Sequence, residues 1–144
     1  MERTSTRVVN GLIRRVIADR DLYRQAARGV REPGLKAILE ESAASLTSIA
    51  GDLQCEVSAA GARPAMAGGP MSGVRRTMME ASVKLSHDPD VTYIRTLEQM
   101  ERRLLEAFLR LESESGDRAM VGRHIARLRL LHLDMTNLGS AAGR

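Results

Sequence analysis

An all-α fold is what this sequence predicts: a bundle of four long helices, with a short extra helix inside a long middle connection. Three observations carry it. The residue types are those of helices, since Ala, Leu, Met, Arg and Glu dominate and the aromatics are limited to Tyr23, Tyr93 and Phe108. Apolar residues recur at steps of three and four, the period of one helix face, and Val and Ile fall inside those periods. Segments rich in Gly and Pro then cut the chain into pieces of helical length.

The elements follow in order. Thr4, Ser5 or Thr6 can cap the first helix, whose seam runs Val9, Leu12, Val16, Asp19, Tyr23, Ala26, Val30. Gly29 weakens its end, and Pro33, a first-turn residue, opens the second. That helix carries Leu35, Leu39, Ser42, Leu46, Ile49 and Leu53 and reaches Gly61. The segment from Gly61 to Pro70 cannot continue a helix. From about Ser72 to Ser86 a short helix is expected, with Val74, Met78, Met79 and Val83 as its apolar side. Asp88 and Pro89 start the third long helix, and Ser115-Gly116-Asp117 ends it. The fourth has its seam at Val121, Ile125, Leu128, Leu131, Met135 and Leu138.

Connection lengths set the topology. Helices one and two, and three and four, are joined by a few residues, so each pair is an antiparallel hairpin. The middle connection takes about 30 residues, enough to run the length of the bundle and return the chain in the same direction. One long crossover between two hairpins is the ferritin-like arrangement, and the whole of 1–144 is expected to be one such domain.

Composition narrows the function classes. The formal net charge is +4 and the pI about 10.0, a mild preference for acidic partners. A single cysteine, Cys55, excludes an internal disulfide, fits a reducing compartment and reads as a small buried or half-buried thiol. The N-terminal residues lack an apolar leader region, and no stretch suits a membrane span. A soluble, cytoplasmic, bacterial protein is the expectation. No Ser-His or Cys-His signature supports nucleophilic catalysis, and Gly68-Gly69-Pro70 lacks the lysine of a phosphate loop.

The most informative residue is Glu101. It falls on the third seam, Ile94, Leu97, Glu101, Leu104, Phe108, Leu111, where an apolar side chain belongs. A carboxylate there must be paired, protonated, solvated or bound to metal. Glu101 and His132, on facing seams or their edges, with Asp19 from the first helix, are the candidate metal ligands. A carboxylate-bridged di-metal site needs about four carboxylates and two histidines at one depth. This chain falls short: Arg129 stands three before His132, and Glu40 and Glu41 are followed three on by Ala43 and Ala44. A buried Glu101 bonded to a His or Arg is the favoured reading. His124 beside the fourth seam reads as a boundary residue and His87 as a turn residue.

Several runs also resemble a bacterial ferritin-like four-helix-bundle family of unknown function. Leu22-Tyr23-Arg24-Gln25-Ala26-Ala27 looks like its first-helix signature, and Leu35-Lys36 through Asp52-Leu53 to Gly61 is similar to its second helix. Leu97 to Glu101 with Glu106-Ala107-Phe108 matches its glutamate-rich third helix, and Leu128 to His132 its histidine-bearing fourth. The resemblance implies a ferritin-like bundle and a link to stress responses, with no established activity.

Three function classes follow. The leading one is a non-enzymatic, metal-free or metal-poor bundle acting through protein contacts, as a homo-oligomer, with Met66, Met71, Met78 and Met79 as an adaptable docking surface. Core packing is the favoured reading for Met78. The second is a ferritin-type redox or storage protein holding iron, manganese or zinc through Glu101, His132 and Asp19. The third is a DNA-associated protein, supported only by arginines at helical spacing, Arg20, Arg24, Arg28 and Arg31, then Arg123 and Arg127. Base-stacking aromatics are missing from those stripes, so nucleic acid is disfavoured.

Overall fold

The computed structural model describes residues 3–114 and 118–142, and side chains within that range except at 3–5, at Met71, at Glu114 and at places in the last helix. Its elements are α1 (Arg3–Gly29), α2 (Pro33–Ala59), α3 (Met71–Lys84), α4 (Pro89–Glu114) and α5 (Arg118–Ala142). No strand occurs among the described residues. Thr4 to Thr6 lie inside α1 and do not precede it. The predicted break at Ser115 to Asp117 lies outside the described residues.

Helix α2 begins with Glu32, whose carboxylate accepts from the Gly34 amide at 2.8 Å and the Leu35 amide at 2.6 Å. Those amides have no partner within the helix, so the carboxylate takes the usual place of Ser or Asp. Pro33 supplies the first-turn conformation. At the other end α2 stops at Ala59, two residues before Gly61, which turns the chain at φ 81°. That left-handed value suits a residue with no Cβ.

The long helices pair as antiparallel hairpins, α1 with α2 and α4 with α5. Between hairpins, α1 lies against α4. Gly29 abuts Tyr93, Tyr23 bonds Glu101, and the Arg31 amide donates to Asp90, so the two helices run in opposite directions. Consequently α2 and α4 point the same way. The connection 60–88 follows α1 along its length. Asn10 holds the Arg63 carbonyl and the Ala65 amide, Gly68 rests on Ala18, Arg75 reaches Asp19, and Gln25 donates to the Arg76 carbonyl.

The predicted seams line the core. Val9, Leu12, Val16, Tyr23 and Ala26 of α1 are buried, as are Leu35, Leu39, Leu46, Ile49 and Leu53 of α2. Ile94, Leu97, Leu104, Phe108 and Leu111 of α4 join Ile125, Leu128, Leu131 and Met135 of α5; Val121 lies outside the described side chains. The buried stripe of α1 is wider than its seam, adding Ile13, Ile17, Ala18, Leu22 and Ala27, because α1 touches α2, α3 and α4 on different sides.

Two glycines mark close approaches. A Cβ at Gly68 would stand 3.1 Å from the Ala18 Cα. One at Gly29 would overlap the buried Tyr93 ring and hydroxyl. Gly29→Ala is therefore expected to lower stability by about 1–3 kcal/mol, outweighing a gain in helix propensity of up to about 1 kcal/mol. Urea unfolding measures this, and a Tyr93→Leu background should remove most of the loss.

Candidate functional site

Two carboxylates lie inside the bundle, Asp19 on α1 and Glu101 on α4, each 2 % exposed. Both sit on helix seams because the three-and-four register places them there, so neither can reach bulk water without repacking its helix. A buried charge requires a partner, and each has one. The Tyr23 hydroxyl, one turn beyond Asp19 on α1, donates to Glu101 Oε1. Burial, with the Glu101 charge beside it, pushes the Tyr23 phenol well above its ordinary range, so Tyr23 keeps its proton and remains a donor.

Asp19 is met from the connection between the hairpins. Arg75 of α3 donates through Nη2 to Asp19 Oδ1 at 2.8 Å. Burial nevertheless dominates, and it raises the Asp19 carboxyl from 3.8 to about 6, with Arg75 and then Arg15 pulling it down. A group whose native pKa is raised contributes stability that is complete below its unfolded value and lost as pH rises through the native one. Asp19→Asn should therefore gain up to about 3 kcal/mol relative to wild type between about pH 4 and pH 7. Urea midpoints of the two proteins across that range check it.

Of the three metal-ligand candidates, Asp19 and Glu101 face one layer of the core around Tyr23, whose phenol feels the charge of both. His132 is carried by α5, and its side chain lies outside the described ones. Among the described residues, no three His, Cys, Asp or Glu side chains gather closely enough to hold a metal ion. Arg129, three residues before His132, is exposed.

Other expectations change. His124 is fully inside, 2 % exposed, against the edge of Phe108, and is no boundary residue. Cys55 is exposed. On α3, Met79 is buried and Val83 partly so, whereas Val74 and Met78 face solvent, Met78 at 64 %. Core packing of Met78 is thus incorrect; Met66 is exposed, and Met71 lies outside the described side chains. The reason lies in the spacing. Arg75, Met79 and Val83 recur every four residues and form one face, while Val74 and Met78 belong to another.

Sequence reasoning overlooked Tyr23 and Arg75 as partners. Signals for both were available: Tyr23 is the one aromatic on the first seam, and Arg75 stands in register with Met79. The arginines of α1 are drawn partly into local pairs, Arg20 at 3.0 Å and Arg24 at 4.0 Å from Asp21. Pairs this open to solvent, half-buried for Arg20 and exposed for Arg24, contribute little to stability. Among the described residues, no helix is long and apolar enough to cross a membrane.

No curated protein and no solved structure matches the chain. A family model does, over residues 5–111, which takes in α1, α2, α3 and most of α4. With that share of its length matched, the chain belongs to the family described as Domain of unknown function (DUF2383).

Proposed function

We propose that this chain is a ferritin-like bundle without enzymatic activity that works through protein contacts, its first partner being a second copy of itself. The outer face of α3 carries the reading. Val74, Met78, Ala81 and Leu85 follow one another at steps of four, three and four on the exposed side of that helix, with Leu85 88 % exposed. This is the spacing of a seam that another helix fills. Flexible methionine in such a stripe suits an adaptable contact, and clustered exposed apolar side chains mark interaction surfaces more often than scattered ones do.

The ferritin-like part is supported by the two hairpins, the connection that follows α1 along its length, and the shared direction of α2 and α4. A role in stress responses rests on the family resemblance. The partners of the two buried carboxylates favour a structural use of both: Tyr23 for Glu101 and Arg75 for Asp19. A second reading draws on the layer those carboxylates share. In it, Glu101, Asp19 and His132 hold iron, manganese or zinc in a ferritin-type redox or storage protein.

Two measurements on protein purified without a histidine tag decide between them. Light scattering after gel filtration should give a multiple of 15.8 kDa, reduced to the monomer by Met78→Glu with Leu85→Glu. Metal analysis should find no stoichiometric ion. A monomeric wild type at high concentration removes the self-association; stoichiometric metal that is lost in Glu101→Ala establishes the second reading instead.

A further inference from the structure

A different buried polar group lies between α4 and α5. His124 is almost wholly out of water, and neither Nδ1 nor Nε2 has a hydrogen-bond partner among the described residues. Its ring meets Phe108 edge-on, the centroids 5.9 Å apart and the planes at 62°. A neutral imidazole has one donor and one acceptor nitrogen, and here both have lost water without replacement. Protonation would add a second donor and a charge to the same enclosure.

The surroundings offer that charge little. From α4 the ring faces uncharged Phe108, and Glu112 lies beside Gly122, its Oε2 3.8 Å from where a Cβ there would stand. From α2, Asp52 attracts a proton to the ring, but it is exposed and lies 4.0 Å from Arg127. On α5 itself, Arg127 and Arg123 repel one. Burial outweighs Asp52, and the ring is held below its ordinary value of 6.5.

The helix that carries His124 depends on one neighbour for nearly all of its packing. Helix α5 packs along α4 and meets α2 over a short stretch, where Arg127 Nη1 donates to Ser48 Oγ at 3.4 Å. It also lies beyond the residues that the family model matches.

We propose that α5 is an acid-released helix: protonation of His124 weakens its docking on α4 and frees the apolar face of Ile125, Leu128, Leu131 and Met135, while α1, α2 and α4 stay packed. The docked state holds a neutral ring and the released state binds a proton readily. The release equilibrium therefore rises by up to tenfold for each pH unit below about 6.5, until the docked ring is itself protonated. Asp19 titrates in the same range with the opposite sign, so the comparison must be made against variants of His124.

Hydrogen exchange of the full chain at about pH 7.5 and pH 5.5, corrected for intrinsic rates, tests this. In wild type, protection of α5 peptides should fall about tenfold relative to those of α1 and α2. In His124→Phe, which keeps an aromatic ring but cannot titrate, that tenfold fall should be absent, leaving only the change that Asp19 imposes in both proteins. His124→Gln supplies the same comparison if the phenylalanine variant fails to fold. The proposal is overturned by an equal fall in either variant, by no differential fall in wild type, or by an α5 already unprotected at pH 7.5. Titration of the His124 ring by NMR gives a readout free of substitutions. It should show a value below 6.5 that accompanies the loss of α5 protection, and an ordinary value without that loss overturns the idea as well.

Discussion

Tyr23→Phe is expected to lower the stability of this protein by about 3 kcal/mol, although it removes a single oxygen. The hydroxyl donates to Glu101 in a region neither side chain can leave, both being at most 2 % exposed. Hydrogen bonds to charged groups contribute about 1.5–3 kcal/mol, and this one is buried at both ends. Glu101→Gln retains an acceptor for Tyr23 and should cost less than about 1.5 kcal/mol. The double variant Tyr23→Phe with Glu101→Leu should be more stable than the sum of its single variants, since neither group is then left without the other. Urea unfolding of the four proteins measures this coupling. A Tyr23→Phe loss under about 1 kcal/mol would show that the bond carries little.

Phe108→Ala should cost more, about 3–5 kcal/mol, the usual range for emptying a fully buried aromatic site. Phe108 is the one phenylalanine of the chain and stands where α4 meets α5, so its neighbours cannot close the gap without moving a helix. It also forms the wall against which His124 packs. The cavity would admit water to an imidazole that has no other partner among the described residues, offsetting part of the loss. Effects of Phe108→Ala and His124→Phe are therefore expected to be non-additive, and thermal and urea unfolding of single and double variants check this.

Much of the fold was legible because helix seams are a local property. Residues three and four apart share a face whatever lies opposite, so the apolar register of α1, α2 and α4 predicted their buried sides. The placement of Asp19 and Glu101 in the core followed from the same register. Short joins at Gly29 to Pro33 and around residue 116 implied hairpins for a geometric reason: a few residues cannot span a bundle.

The candidate site was less legible, since its bonds join residues far apart in sequence. Tyr23 meets Glu101 across 78 positions and Arg75 meets Asp19 across 56. Neither pairing has a periodicity to announce it. The short helix shows the difficulty most clearly. Its two apolar stripes, Met79 with Val83 and Val74 with Met78 and Leu85, are both amphipathic patterns, and only one can face the bundle. Arg75 shares the first face, so its ion pair with buried Asp19 turns Met79 inward and leaves Met78 and Leu85 outside.

The sequence by itself therefore determined the helices, the buried faces of the long ones, the hairpin pairing and the presence of two carboxylates in the core. Each of those depends on spacing along the chain or on how far a connection reaches. Tertiary structure alone decided which side chains meet those carboxylates, that His124 is enclosed without a partner among the described residues, and which stripe of α3 is exposed. These depend on the rotation of each helix about its own axis, which is set when several faces are packed at once and is encoded in no single segment.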